Sequence, residues 1–206
     1  MLSVKSPFLV IEETISPQRC EGIVSEYALV KPSMSIDGEP LAYERYLTKN
    51  AEVLLQEVFS QYGELVSEKY GSPIENIFPK FQQFWENVKS PAQQIALPGW
   101  KYSRKKWSKI ADIDLIAIIW MKDFNSSVPL DPRFETYGGK VEFPSFDFSF
   151  VPVRGTMIIF PAVPNFAYAL SHVLYGSMEH IVCGIKLHNS LEYKPENFPG
   201  TYREWF

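Results

Sequence analysis

The stretch Tyr137-Gly138-Gly139-Lys140-Val141-Glu142-Phe143-Pro144 decides the fold, together with Val151-Pro152-Val153-Arg154-Gly155-Thr156-Met157-Ile158-Ile159-Phe160-Pro161 just downstream. Two glycines lead into a short strand with alternating side chains, and a proline stops it. Between the two runs Phe146, Phe148 and Phe150 alternate with Asp147 and Ser149, the pattern of a half-buried strand. A turn at Arg154-Gly155 then launches a continuously apolar strand that again ends in Phe-Pro. Short strands closed by Gly and Pro at close intervals predict a jelly roll. Gly138-Gly139 is no phosphate loop, because no helix follows it; it reads as a bulge where the strand begins.

Working outward, further strands are predicted over 166–173 and 179–187. Upstream, Ile113-Asp114-Leu115-Ile116-Ala117-Ile118-Ile119-Trp120-Met121 is apolar on both faces, as a central, doubly covered strand should be. Residues 122–136, with Pro129 and Pro132, read as a polar loop. The first half of the chain changes period. A strand over 7–12 precedes a helix opened by Ser16-Pro17, with Cys20, Ile23, Val24 and Tyr27 as its buried stripe. Residues 31–49 carry Pro32, Gly38 and Pro40 and read as a loop. A long helix follows over 50–70, with Leu54, Leu55, Val58, Phe59, Tyr62, Leu65 and Val66 on one side and Gly71 as its left-handed cap. Ser72-Pro73-Ile74-Glu75 fits a capping box, predicting a second helix to residue 88 that carries Ile77, Phe81, Phe84 and Trp85 and is kinked by Pro79. Helices first and strands afterwards give an α+β class: a double-stranded β-helix, or jelly roll, backed by N-terminal helices. We expect one domain over 1–206, with 189–206 as an aromatic C-terminal tail.

The 206 residues suit one domain with a full core, and hydrophobic residues at 46% exclude a disordered chain. A net charge of -4 offers no general attraction to nucleic acid or anionic membranes, so neither is an expected partner. The local exception is Lys101, Arg104, Lys105, Lys106 and Lys109, interleaved with Trp100, Tyr102 and Trp107, which reads foremost as a solvated basic edge. Two cysteines, Cys20 and Cys183, make no disulfide framework, and a reducing compartment is the default. The apolar run Phe8-Leu9-Val10-Ile11 is too short to span a membrane.

The Gly-Gly-x-x-x-Phe-Pro and Arg-Gly-Thr-Met-Ile-Ile-Phe-Pro elements resemble the core of the Fe(II)/2-oxoglutarate dioxygenases, in the prolyl-4-hydroxylase-like branch common in bacteriophages. The likeness covers about 107–187 well and 7–28 weakly. That family implies a metal held by two histidines and a carboxylate, and a basic residue that pairs with the cosubstrate. The resemblance places the His-x-Asp pair at Trp107 and Lys109, the second histidine at Tyr168, and the basic residue at Met178. None of the four has the required chemistry. Indole has no free lone pair, lysine adds a positive charge, and methionine makes no bidentate pair with a carboxylate. These four are therefore expected to be the positions of a degenerate site, filled by side chains, with no catalytic, cofactor-binding or metal-binding residue.

The three histidines, His172, His180 and His188, recur every eighth residue, which matches no helical pair. No nucleophile elbow or paired catalytic motif occurs. Ser171-His172 would point to opposite faces of a strand. The expected function is a non-catalytic, dioxygenase-like pseudoenzyme that binds other proteins, as a structural part of a bacteriophage particle such as the tail, neck or baseplate. It would reside in the virion if phage-encoded and in the cytoplasm otherwise. Tyr193, Phe198, Tyr202, Trp205 and Phe206 are the candidate partner-binding residues, because exposed aromatics favour docking. The alternative is a working hydroxylase using Fe(II) and 2-oxoglutarate, with Asp112 or Asp114, His172 and His180 as ligands. A third reading is a small-molecule binder using the emptied pocket around Trp107, Tyr168 and Met178.

Overall fold

In a computed structural model, residues 6–28, 43–85, 97–103, 106–125, 131, 133–171 and 173–191 are described. Strand β1 (Leu9–Ile11) leads through a turn into helix α1 (Pro17–Ala28), which Pro17 opens as predicted. Cys20, Ile23, Val24 and Tyr27 are all buried, as the stripe required. Helix α2 (Lys49–Tyr70) is capped by Thr48, whose hydroxyl accepts from the Ala51 amide, and ends on Gly71 at φ 75°. Its buried face is Ala51, Leu54, Leu55, Val58, Phe59 and Val66. Leu65, predicted for that face, is instead exposed.

A short strand, β2 (Tyr43–Arg45), lies within the stretch expected to be loop. The larger correction is β3 (Ile74–Trp85), a twelve-residue strand where the capping box and the apolar spacing predicted a kinked helix. Its pairing with β14 (Ser177–Leu187) runs the whole length of both strands, from Ser177 opposite Trp85 to Leu187 opposite Ile74. Pro79 sits opposite Cys183, beyond the short stretch 81–83 that β2 covers, so its missing N–H falls in an edge region. A bulge between Lys186 and Leu187 shifts the register.

Strands β1, β11 (Met157–Pro161), β6 (Leu115–Trp120), β14, β3 and β2 form a six-stranded sheet in that order, antiparallel throughout. The fully apolar β6 is buried at every residue, as expected of a central strand. Its odd-numbered side chains, Leu115, Ala117 and Ile119, join the core beneath the helices, along with Ile181, Cys183 and Ile185 of β14. Tyr27 of α1 stacks on Phe81 of β3 with ring centroids 3.6 Å apart. The even-numbered side chains Ile116, Ile118 and Trp120 face the other way, into the jelly roll.

That second side is closed by smaller sheets. β10 (Phe148–Phe150), β9 (Val141–Phe143) and β12 (Ala169–Leu170) form one, and β13 (Val173–Tyr175), β8 (Glu135–Gly138) and β7 (Asp123–Asn125) another. The hairpin of β4 (Trp100–Ser103) and β5 (Lys106–Lys109) stands beside them. β7 and β8 arise within or at the end of the predicted loop and pair in parallel. The alternation of Phe146, Phe148 and Phe150 does not mark one strand: Phe146 ends a short 3-10 turn over Pro144–Phe146, and β10 starts only at Phe148, which is exposed. Gly138 ends β8 and Gly139 follows it, both at φ 89°, so the glycine pair sits between two strands. Among the described residues no helix is long and apolar enough to cross a membrane.

Candidate functional site

The interior of the jelly roll is the place where this architecture can hold a ligand, since the strand ends of a small barrel converge there. One wall is Met178 and Val182 of β14, Ile116, Ile118 and Trp120 of β6, and Ile158 and Phe160 of β11. The facing wall includes Val141, Phe143, Phe166, Tyr168 and Leu170. Phe160 meets Phe143 edge-on at 4.9 Å and Tyr168 edge-on at 5.6 Å, which is the geometry aromatic quadrupoles favour. Phe8, just ahead of β1, closes one end against Phe143, Phe146 and Phe166 at centroid distances of 4.8, 5.4 and 5.4 Å.

Of the four positions the resemblance marks, three belong to this cluster or border it. Tyr168 and Met178 are buried members of the apolar cluster, and Trp107 packs against it from the hairpin. Met178 lies so close to the glycine turn that a Cβ built on Gly139 would approach its sulfur to 2.7 Å. The methionine fills the space a side chain at 139 would take, and no void separates strand from turn. Lys109 does not join them. Its ammonium lies 3.0 Å from Asp112 on the surface, where Lys186 also reaches Asp112 at 2.8 Å. Hydrogen bonds from Lys186 and then Lys109 hold the Asp112 carboxyl below the usual carboxylate range. The basic edge divides likewise: Lys101 is exposed, while Trp100 turns inward and donates from its indole nitrogen to the Ala162 carbonyl at 2.7 Å.

Of the alternative ligand set, Asp114 and His180 are not brought together. Asp114 is buried and already engaged. Its carboxylate accepts from the Leu187 and Leu191 amides at 2.9 and 3.2 Å, and Lys186 lies 3.2 Å away. His180 is fully buried toward the other end of the same ladder, opposite Trp120, while Leu115 beside Asp114 is opposite Ile185. Five ladder steps at about 3.4 Å each put the two roughly 17 Å apart along the strand, too far to share an ion. His180 Nε2 lies 3.0 Å from Gln82 Oε1, and burial pushes its pKa down to about 3, so the ring is neutral. His188 is exposed after β14, and its amide donates to the Pro73 carbonyl. His172 and the five aromatic tail candidates, Tyr193, Phe198, Tyr202, Trp205 and Phe206, lie outside the described residues. Among the described residues no three His, Cys, Asp or Glu side chains converge as a metal centre. Burial raises the Cys20 thiol to about 12, and it raises Cys183 as well, which leaves both as unreactive core residues.

Sequence reasoning missed a second buried group, on the helix-facing side at the other end of β14. Lys122, Glu179, Gln83 and Ser177 are each at most 5% exposed and bond to one another. Two charges set in otherwise apolar runs, Lys122 straight after β6 and Glu179 within β14, were the available signal.

No protein-family model matches the chain, and no curated protein matches it. Solved structures do. The viral collagen prolyl hydroxylase of Paramecium Bursaria Chlorella virus-1, in its 2OG complex, superposes with a TM-score of 0.64 at 11% identity, over 92% of this chain and 100% of that one. The fold is that of the prolyl hydroxylases. A Pseudomonas putida prolyl-4-hydroxylase matches with a TM-score of 0.58 at 8% identity, covering 90% and 95% of the two chains. A Trichoplax adhaerens prolyl hydroxylase, bound to a hypoxia inducible factor peptide fragment, gives 0.53 at 6%, covering 88% and 84%. Identities this low carry the fold and not the activity.

Proposed function

We propose that this chain is a non-catalytic protein on the prolyl hydroxylase fold, which acts by binding other proteins as a structural component of an assembly. The setting the sequence resemblance suggests is a bacteriophage particle, in its tail, neck or baseplate. The observation that carries the reading is the packing of Trp107, Tyr168 and Met178 into one apolar cluster, at the positions where the resemblance places a metal and its cosubstrate. The groups the fold implies, Fe(II) and 2-oxoglutarate, do not fit these residues. An indole, a phenol and a thioether are not two imidazoles and a carboxylate, and none of the three offers a cation to a dicarboxylate. Lys109 is the one charged member of the set, and it is held on the surface by Asp112. On this reading the contacts that serve function are external, and the aromatic residues Tyr193, Phe198, Tyr202, Trp205 and Phe206 are the proposed ones.

The test is an anaerobic titration of the full chain with Fe(II) and 2-oxoglutarate, followed by visible absorption and calorimetry. The expected result is no metal-to-ligand charge-transfer band and no heat of binding. A stoichiometric band overturns the reading and makes the chain a hydroxylase with other ligands.

A further inference from the structure

The buried polar group around Glu179 has the composition of a self-acylating centre. β14 lies between β6 and β3, and Glu179 projects from it toward the helices, between a lysine from one neighbour and a glutamine from the other. Lys122 Nζ lies 2.8 Å from Glu179 Oε2, and Gln83 Nε2 donates to Glu179 Oε1 at 2.7 Å. Ser177 Oγ accepts from Lys122 at 3.0 Å and donates to Glu179 Oε1 at 2.7 Å. Lys122 and Gln83 are each 3% exposed and Glu179 2%, so the group is shielded from bulk solvent. Gln83 Oε1 is buried with no hydrogen-bond partner. A carboxylate thus bridges an amine and a carboxamide in a buried site, and the carbonyl oxygen of that carboxamide has no protein partner.

We propose that Lys122 and Gln83 condense to an intramolecular isopeptide bond, with Glu179 as the acid–base group. The carboxylate takes a proton from the Lys122 ammonium, which leaves a neutral amine as nucleophile and a carboxylic acid beside the carboxamide. Turning the carboxamide about its last bond brings Oε1 to that acid. The amine nitrogen attacks Gln83 Cδ, and the acid polarises the carbonyl. The tetrahedral adduct then collapses, the Cδ–Nε2 bond breaks, and Nε2 leaves as ammonia after receiving a proton through Glu179. One amide forms, one ammonia is released and nothing is oxidised or reduced. The reach is sufficient: β6 and β3 are two strand spacings apart, about 9.5 Å, which an extended lysine and a glutamine span together. The reaction also removes the ammonium from a site where its charge is costly to keep. The product is a covalent staple across β14, joining its two flanking strands. This inference stands apart from the binding function proposed above.

The experiment is the intact mass of the freshly purified, fully denatured chain, with fragment mapping of the peptides that carry Gln83 and Lys122. The expected result is a mass lower by one ammonia and a branched fragment joining the two. Lys122→Arg keeps the charge but cannot acylate, and should restore the full mass. Glu179→Gln should leave the crosslink unformed. A wild-type chain at full mass, or an ammonia loss mapped to another residue, overturns the proposal. Because the readout is the mass of an unfolded chain, poor folding of a variant does not obscure the wild-type result.

Discussion

The two faces of the six-stranded sheet are built from different material. Beneath the helices the core is mainly aliphatic, with Leu54, Leu55 and Val58 of α2 set on Ile119, Ile181 and Ile185. Inside the jelly roll it is richer in aromatic rings, with Phe143, Phe160, Phe166, Tyr168 and Trp120 in the same cluster as Met178. The helix face fills by ridges of regular spacing, which any helix of the right period supplies. The interior fills by individual large side chains delivered from strands and turns of several sheets. The comparison predicts where damage is greatest. Phe160→Ala should lower unfolding stability by about 4 kcal/mol and Leu54→Ala by about 3 kcal/mol, both read from urea melts. If Phe160→Ala proves the milder change, the interior tolerates a void, and the small-molecule binder becomes the better account.

The helix face was also the more legible one. The stripes Cys20–Tyr27 and Leu54–Val66 repeat at helical spacing, and Gly71 takes the left-handed cap its position announced. The paired strands around Gly138-Gly139 and Arg154-Gly155 were legible for another reason. Each turn needs a glycine: Gly155 has φ 78°, and a Cβ there would lie 2.2 Å from the Ile15 carbonyl oxygen. The stretch Ile74–Trp85 misled because Ile77 and Phe81 lie four residues apart, a spacing shared by a helix face and by one face of a strand. Its state is set by β14, whose eleven residues pair with it at a sequence distance no local pattern contains. Ser72, which looked like a helix cap, accepts from the Asn189 amide at 2.8 Å instead. Trp107, Tyr168 and Met178, where the resemblance expects ligands, could be marked from the sequence as lacking ligand chemistry. That they share one apolar cluster with Phe8 and Phe143 could not, because the five lie on separate segments of the chain.

His180 offers a way to sharpen the contrast with a group that titrates. It lies on the interior face of β14, buried against Gln82 and opposite Trp120, and burial lowers its pKa from 6.5 to about 3. The unfolded chain therefore binds a proton between those values and the folded chain does not. The stability owed to this residue is fully present above pH 6.5 and is lost as pH falls toward 3. At pH 5 the loss should be about 2 kcal/mol relative to pH 7.5. His180→Gln should flatten that dependence in urea melts at the two pH values. An unchanged slope in the variant would mean that the ring is solvated, and that the interior is wetter than the aromatic packing implies.

The smallest effect on stability, and the most informative for function, is expected where core and tail meet. Leu191 packs against the helix-side core, and its amide donates to Asp114, so the chain is fastened to the domain at that residue. A truncation must therefore keep Leu191 to test the tail apart from the fold. Ending the chain after residue 192 removes Tyr193, Phe198, Tyr202, Trp205 and Phe206 while leaving the Asp114 contacts intact. If the tail serves a partner, the shortened chain should melt at the same urea concentration as the full chain, yet no longer enter its assembly in reconstitution followed by light scattering. A fall in the melting midpoint would instead make these aromatics a third part of the core. The binding surface would then have to be sought on exposed apolar side chains, among them Leu174 and Tyr175 of β13 and Val153 between β10 and β11.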